Sequence, residues 1–431
     1  MKMKRLASCL TCAAMIGTLI FSTGCGSSSK SSATDANGLK VLKFGVSAPL
    51  TGAYSKTGIE TKDAVTLALE ECNYQVGNYK LEPVWIDDQG DPQAGVKAYE
   101  QAIVKDKIQC SLFCNFSSVA IAEMEIAAKY QIPHFCSWGS SSIVNEKWAT
   151  DDKYKVWLKG FAEPTKMSVA YIDAIENMID EGKWTPSAKK FYVYGEDNDW
   201  GRAVGTGMGA EFESRGWEKV GEDYFKSGET DFYSLLSKMK SSGATVLLGT
   251  INAASSSSSF VKQAREVDVP ALIVCEAASE IGDFYELTGD ASNGLIDCRA
   301  SYLVDPEKGA EFEQKFKDEF GYETSCGNGG YSYECFKYWM SVVEATDAMY
   351  GDVTSETLKL FSIDQIQTGK YVWKGEMVMP SIQYSAESDP DPVVSTDAFY
   401  NPVLQFQDGK TYVVYPTDKA TKEFTIPDYV K

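Results

Sequence analysis

Histidine is almost missing from this chain: His134 is the only one among 431 residues. A Ser-His-Asp triad needs an imidazole beside a serine, and zinc sites usually draw on several histidines or clustered cysteines. His134 follows Pro133 in an apolar run and is read as a packed structural residue; no metal and no cofactor is expected. The phosphate-cradling Gly-x-x-x-x-Gly-Lys-Ser/Thr loop is absent as well. Basic runs are absent too, with 41 lysines and arginines against 61 acidic residues and a formal net charge of −20. Such a surface repels phosphate backbones, which sets nucleic acid aside as a partner. Beyond Phe21 no apolar run approaches the ~18 residues that a membrane-spanning helix requires. What remains is long enough for two lobes, since single cores stop growing near ~250–300 residues.

The first residues carry their own signal. Lys2, Lys4 and Arg5 precede an uncharged apolar stretch from Leu6 to Phe21, followed by Thr23-Gly24-Cys25. A basic start, a short apolar core and small residues before a cleavage point make an export signal over 1–24. Thr23-Gly24 before Cys25 resembles a bacterial lipobox, which implies cleavage before Cys25 and a lipid on its thiol. Residues 25–39, rich in Gly and Ser, then form a leash. Acyl chains partition into a bilayer at roughly 0.8 kcal/mol per buried CH₂, so the expected location is the extracellular face of the cell membrane, lipid-anchored. An ordinary secreted protein cut elsewhere is the alternative.

Of eleven cysteines, Cys72, Cys110, Cys114, Cys136, Cys275, Cys298, Cys326 and Cys335 lie beyond the signal and Cys25. Most sit within apolar runs, where a thiol behaves as a small hydrophobe. Free core thiols are expected; Cys326 and Cys335, joined by a Gly-rich loop, are the candidate disulfide.

From residue 41 onward, short apolar runs alternate with amphipathic stretches. Strands are expected at 41–46, 81–86, 110–113 and 133–137, with helices at 58–71, 94–104 and 119–130 between them. The beat resumes with strands at 190–194, 245–248 and 271–274 and helices at 201–215, 231–241 and 256–267. Strands separated by helical stretches of ~10–15 residues argue for parallel βαβ units. Two such series imply an α/β fold of two doubly wound parallel-sheet lobes, with 156–161 carrying the chain across. Helices at 309–320 and 331–350 and strands at 371–373, 403–407 and 411–415 follow, the last two joined by a hairpin turn at Asp408-Gly409. The domain reading is 40–160 with 300–365 for one lobe and 161–299 with 366–431 for the other.

Gly205, Gly207 and Gly209 fall inside an expected helix and point to close helix packing rather than a dinucleotide site. The serines from Ser255 to Ser259 open a helix, to cap free N–H groups or to face an anion. The remaining chemistry lies in strand-end loops, where ligands of open α/β sheets bind. These are 48–52, 115–118, 137–141, 196–201 and 275–277.

The stretches FGVSAPLTGAYSKTG, DDQGDPQAGVKAYEQAI, FSSVAIAEMEIAAKYQIPHF, VYGEDNDWGRAVGTGM and FVKQAREVDVPALIVCE resemble solute-binding lipoproteins of ATP-driven importers. The likeness is to the leucine/isoleucine/valine-binding group and runs from about 41 to 350. It implies the type I periplasmic-binding-protein fold, two lobes joined by a three-crossing hinge that close on a small solute. Ser117 and Ser140, with Ser118 and Gly139 in their loops, match the positions that hold a ligand carboxylate. Glu276 matches the acid that takes an α-ammonium, and Trp200 an aromatic that closes over the ligand. Trp138 stands where a small residue is usual, and the usual aromatic is missing around Asn252. The tryptophan pair suits a flat or a cationic ligand. The resemblance implies a non-enzymatic monomer that captures a small polar solute, an amino acid or amino-acid-like compound, aromatic ones included, and passes it to an ABC permease. A ligand-sensing receptor and a hydrolase using Asp197 and Glu276 are the rival readings.

Overall fold

The computed structural model describes residues 34–430 except 37, 282 and 283. The signal and Cys25 lie outside the described residues. Among the described residues no helix is long and apolar enough to cross a membrane.

The first half of the chain alternates β1 (Lys40–Ala48), α1 (Ser55–Glu71), β2 (Gln75–Val76), β3 (Tyr79–Asp87), α2 (Pro92–Gln101) and β4 (Cys110–Phe113). It continues with α3 (Ser117–Tyr130), β5 (His134–Ser137), α4 (Ser142–Trp148) and β6 (Trp157–Lys159). These strands form one sheet in the order β2-β3-β1-β4-β5-β6. All its pairings are parallel except the β2–β3 hairpin. Every residue of β4 and β5 is buried, as expected where helices cover both faces of a parallel sheet.

A second series follows: α5 (Pro164–Asp180), β7 (Lys190–Glu196), α6 (Asp199–Ser214), β8 (Glu218–Phe225), α7 (Tyr233–Ser242) and β9 (Val246–Thr250). Then come α8 (Ala254–Glu266), β10 (Leu272–Glu276), α9 (Phe284–Thr288) and β11 (Ile296–Cys298). The chain returns to the first sheet through α10 (Pro306–Phe320), α11 (Tyr331–Tyr350) and α12 (Ser355–Phe361). A small ribbon of β12 (Trp373–Lys374) and β13 (Ser381–Ile382) precedes the hairpin of β14 (Val403–Gln407) and β15 (Lys410–Tyr415). The second sheet has the order β15-β14-β11-β10-β9-β7-β8. Its β14 runs antiparallel to β11 and β15 antiparallel to β14, so this hairpin closes one edge of a sheet whose other pairings are parallel.

In each sheet the chain winds first to one side and then to the other, so the order reverses between β1 and β4 and again between β7 and β9. Crevices open at those reversal points, outside the carboxyl ends of the strands. Helix α11 lies over the first sheet, its Trp339 ring 4.6 Å from that of Phe44. Glu334 of α11 accepts from the backbone N–H groups of Glu376, Met377, Val378 and Met379. One buried carboxylate thus fastens the β12–β13 ribbon to that helix.

The chain passes between the sheets near 160, 300 and 390. Asp391 ties two of these passages together: its carboxylate pairs with Lys159 at 2.5 Å and Lys166 at 2.7 Å and accepts from Glu163 N. The side chains of Lys159 and Asp391 are wholly buried. Burial alone would raise the Asp391 pKa, but the two ammonium charges bring it below its usual value.

His134 behaves as a core residue. Its ring stacks on Trp157 at 3.7 Å and its Nδ1 lies 2.8 Å from Ser111 Oγ. Burial drives its pKa down to about 3, so the ring stays neutral. The eight cysteines among the described residues are free thiols, so Cys326 and Cys335 form no disulfide. The helix glycines pack closely: a Cβ on Gly205 would lie 2.3 Å from Tyr224 Oη and one on Gly207 3.2 Å from Pro164.

Candidate solute-binding cleft

The loops at the two reversal points face each other across the hinge. Three strand ends turn through positive φ at non-glycine residues: Phe113 at the end of β4 with Cys114 after it, Cys136 in β5, and Ala277 after β10. Such backbone costs of order 1–3 kcal/mol and persists where the surroundings enforce it. At Gly139 a Cβ would stand 2.6 Å from Ala120 Cβ and 2.7 Å from Phe116 O. Only glycine lets the loop after β5 press against the start of α3, which brings Trp138 and Phe116 to one wall.

Between the lobes lies a cavity of about 30 Å³, lined by Thr57, Asn115, Phe116, Trp138, Phe161, Trp200, Asn252, Glu280, Arg299 and Asn328. Four of these are aromatic, and both sheets contribute. Trp138 packs edge-on against Tyr331 at 4.7 Å and lies 5.7 Å from Phe161; Trp200 meets Phe161 edge-on at 6.4 Å. The lobes also bond directly. Tyr54 Oη donates to Ser227 Oγ and lies 3.5 Å from Glu196 Oε2, and Ser325 Oγ donates to Glu280 O. The arrangement is a closed cleft.

The residues expected at the site divide into two groups. Trp138, Trp200 and Asn252 line the cavity. Ser117, Ser118, Gly139, Ser140 and Glu276 stand behind its walls. Ser117 Oγ accepts from Ser141 N, and Ser140 Oγ donates to Phe161 O, so these hydroxyls knit loops together. Glu276 is fully buried, with Arg299 against one oxygen and the Thr250 hydroxyl and Trp200 Nε1 on the other. Its carboxylate is already engaged. Asp197, named with it as a cleft carboxylate, is half-exposed and paired with Arg202. No serine from 255 to 259 caps α8; Ala253 is the N-cap, and Ser256 Oγ accepts from Gly228 N instead.

The sequence did not single out Arg299 and Glu280, and they make the cavity's charged floor. Arg299, 2% exposed, bridges Glu276 and Glu280, with Nε 2.7 Å from Glu280 Oε1, and lies 4.8 Å from the Phe161 ring centre. Burial would lower its pKa, but the charges of Glu276, Glu280 and Asp297 outweigh that and hold it protonated. Asp297 is held separately, by the N–H groups of Ser279 and Cys298 and by the hydroxyls of Ser279 and Tyr171. Burial pushes Glu280 up to about 8, with Glu276 and Asp297 adding to it and Arg299 opposing. Among the described residues two buried donors on the cavity residues have no partner, Trp138 Nε1 and Arg299 Nη1, and a third, Arg299 Nε, makes no hydrogen bond although it stands 2.7 Å from Glu280 Oε1.

This charge distribution fixes a pH dependence. Glu280 (about 8) and Asp389 (about 7) both keep a proton that the unfolded chain has lost above pH ~4–5. The folded state therefore binds more protons over that window, and stability falls as pH rises from about 5 to about 8. Asp391, shifted the other way, loses its contribution only at strongly acidic pH. Melting temperatures taken across pH 5 to 8.5 should decline steadily; a rise over the same window would contradict the assignment.

Two hinged α/β lobes with a cleft between their strand ends define a type I periplasmic-binding protein. The chain belongs to the Periplasmic binding protein family, whose model matches residues 41–384. A curated relative is Leu/Ile/Val-binding protein homolog 7 of Brucella abortus (strain 2308), 23% identical over 403 residues, covering 90% of this chain and 94% of that protein. Among solved structures, the leucine-binding protein LivK of Thermotoga maritima MSB8 superposes with a TM-score of 0.68 at 18% identity, covering 86% of this chain and 97% of that one. A solute-binding protein of an ABC transporter from Rhodopseudomonas palustris BisB5, in complex with 3,4-dihydroxybenzoic acid, gives 0.68 at 19% identity, with 86% and 95% covered.

Proposed function

We propose that this protein is the extracellular capture component of an ABC importer. It closes its two lobes on a small polar solute with a planar body and delivers that solute to a membrane permease. The solute is an amino acid or amino-acid-like compound of aromatic character. The observation that carries this reading is the pair of unpartnered buried donors, Trp138 Nε1 and Arg299 Nη1, in an aromatic-walled cavity beside Glu280. A buried donor without an acceptor costs about 1–3 kcal/mol, which a ligand carboxylate would recover. An ammonium on the same solute would then meet Glu280, the acid that lines the cavity, and displace the proton that burial keeps on it, rather than Glu276, which Arg299 and Trp200 already hold. The flat body would lie between Trp138 and Trp200, one from each lobe, with the lobes parting to admit it because the closed cavity of about 30 Å³ holds only a water or two. Such a solute stabilises the closed state because it touches both lobes at once.

The lobes take 40–160 with 300–390 and 161–299 with 391–431, the boundary read at 365/366 moving to the passage near 390 because the β12–β13 ribbon is fastened to α11 of the first lobe, and a lipid on Cys25 would hold the monomer at the membrane. A thermal-shift panel of aromatic amino acids, aromatic acids and quaternary amines tests the reading. A true solute at a hundredfold excess over Kd adds ~2.7 kcal/mol of apparent stability. Binding at one solute per chain without turnover supports capture. Steady product formation, or a response to quaternary amines alone, would overturn it.

A further inference from the structure

Behind the cleft wall of the first lobe lies a group of side chains that solute capture does not use. Asp88 follows β3, Cys114 follows β4, and Glu123 projects from the second turn of α3. Each is wholly buried, and their ligand-type atoms all lie within 4.8 Å of one another. Two carboxyl groups so close inside a protein repel each other if both ionise. Among the described residues no lysine or arginine pairs with either. Burial disfavours the charged form of both acids, and the charge of Asp88 adds to the effect on Glu123.

The local hydrogen bonds leave the group incomplete. Asp88 Oδ1 accepts from Gly90 N at 2.7 Å. Ser47 Oγ lies 2.8 Å from Glu123 Oε1 and 3.3 Å from Asp88 Oδ2, and its single proton serves only one of them at a time. Among the described residues Glu123 Oε2 accepts no well-formed hydrogen bond; the donor beside the carboxyl is the Cys114 thiol, which reaches Phe116 O at 3.8 Å. Gly95 of α2 adds to the case: a Cβ there would stand 3.1 Å from Glu123 Oε1 and 3.4 Å from Asp88 Cβ, so its absence leaves the pair uncrowded.

We propose that Asp88, Cys114 and Glu123 form a binding site for a single zinc ion, with Ser47 Oγ or a water as the fourth ligand. One sulfur and two carboxylate oxygens suit a borderline cation that accepts both donor types, rather than magnesium or calcium, which take oxygen alone. Zinc binding releases the thiol proton of Cys114, and any proton held by the carboxyl pair, to solvent. The bound ion supplies the positive charge the pair lacks. It also joins the ends of β3 and β4 to α3 immediately behind Asn115 and Phe116, two of the cavity residues. Counting histidines and cysteine clusters misses such a site, because its ligands lie far apart in sequence and only one is a cysteine.

The test uses the purified full chain, stripped of metal and then incubated with zinc chloride or, separately, magnesium chloride before gel filtration. The wild-type chain should retain about one equivalent of zinc, keep no magnesium and melt at a higher temperature with zinc. Glu123→Gln and Cys114→Ser, folded by circular dichroism, should lose zinc retention. Cobalt in place of zinc should show a thiolate-to-metal charge-transfer band that Cys114→Ser abolishes. The proposal is overturned if the folded wild-type chain retains no zinc, in which case the acids share a proton. It is equally overturned if both variants hold zinc as the wild type does, or if cobalt gives no thiolate band.

Discussion

Replacing Asp391 by alanine is expected to destabilise the protein by about 3–5 kcal/mol, the usual effect of stranding one member of a buried ion pair. Lys159 is the stranded member: its side chain is wholly buried, and without Asp391 it keeps only Ser140 O and Asn145 Oδ1 as acceptors. Burial already lowers its pKa against the pull of Asp391. Once the carboxylate is gone, only the weaker pull of Glu163 opposes that, and the ammonium would rather lose its proton or expose itself. The position of the pair makes the effect more than local. Asp391 holds the end of β6, the Glu163 amide and Lys166 of α5 to the last passage between the lobes. Urea unfolding of Asp391→Ala should show the loss in the midpoint. The double variant Lys159→Met with Asp391→Leu should recover most of it, because well-packed apolar residues often replace such a pair at little cost. A loss below ~1 kcal/mol for the single variant would mean that the pair does not organise the hinge.

The second large effect is expected at Arg299. Arg299→Met keeps the length of the side chain but leaves Glu276 and Glu280 buried without a cation. A destabilisation of about 3–5 kcal/mol follows from the same reasoning. Solute affinity should fall by about a hundredfold or more, equivalent to the ~2–3 kcal/mol of a charged hydrogen bond lost to the ligand. Glu280→Gln should be milder in stability, since that carboxyl already holds a proton near neutral pH, and should weaken solutes with an ammonium more than those without. Calorimetric titration alongside urea unfolding separates the two consequences. Wild-type affinity in Arg299→Met would place the solute's head group elsewhere.

The strands that build the cleft were legible because buried parallel strands read as unbroken apolar runs. Residues 110–113, 245–248 and 271–274 fall on β4, β9 and β10, and every residue of those strands is buried. The edge strand β8 escaped the pattern. Its sequence, Glu218–Phe225, is half charged and contains no fully buried residue, so neither an apolar run nor alternation marks it. β11 is only three residues long. Helix α5 is different: Pro164 at its first turn and the buried Met167, Tyr171, Ile172, Ile175 and Met178 spell an amphipathic helix. The expectation of a crossing segment at 156–161 simply stopped short of it. The strand placed at 371–373 shrinks to Trp373–Lys374, paired with Ser381–Ile382.

At the site, the tryptophans were visible because indoles in strand-end loops stand out from their neighbours. The charged floor was not. Arg299 binds Glu276 and Glu280 across a strand and two turns, and such pairing is a property of the fold rather than of any local spacing. The available signal was a lone arginine between Cys298 and Ala300 at the end of a buried strand, where an unpaired charge would be too costly to keep. Glu276 shows the reverse: Arg299 and Trp200 engage its carboxylate, and neither partner could be read from its own segment.

The most direct test of the account is a crystal structure of the protein with the solute that emerges from the thermal-shift panel. The solute's flat body should lie between Trp138 and Trp200, its carboxylate on Arg299 and the Trp138 indole nitrogen. Density for the solute on one lobe alone, or outside the cleft in the groove that Glu313 and Lys317 of α10 form with Phe406 and Lys410 of the β14–β15 hairpin, would contradict capture by closure.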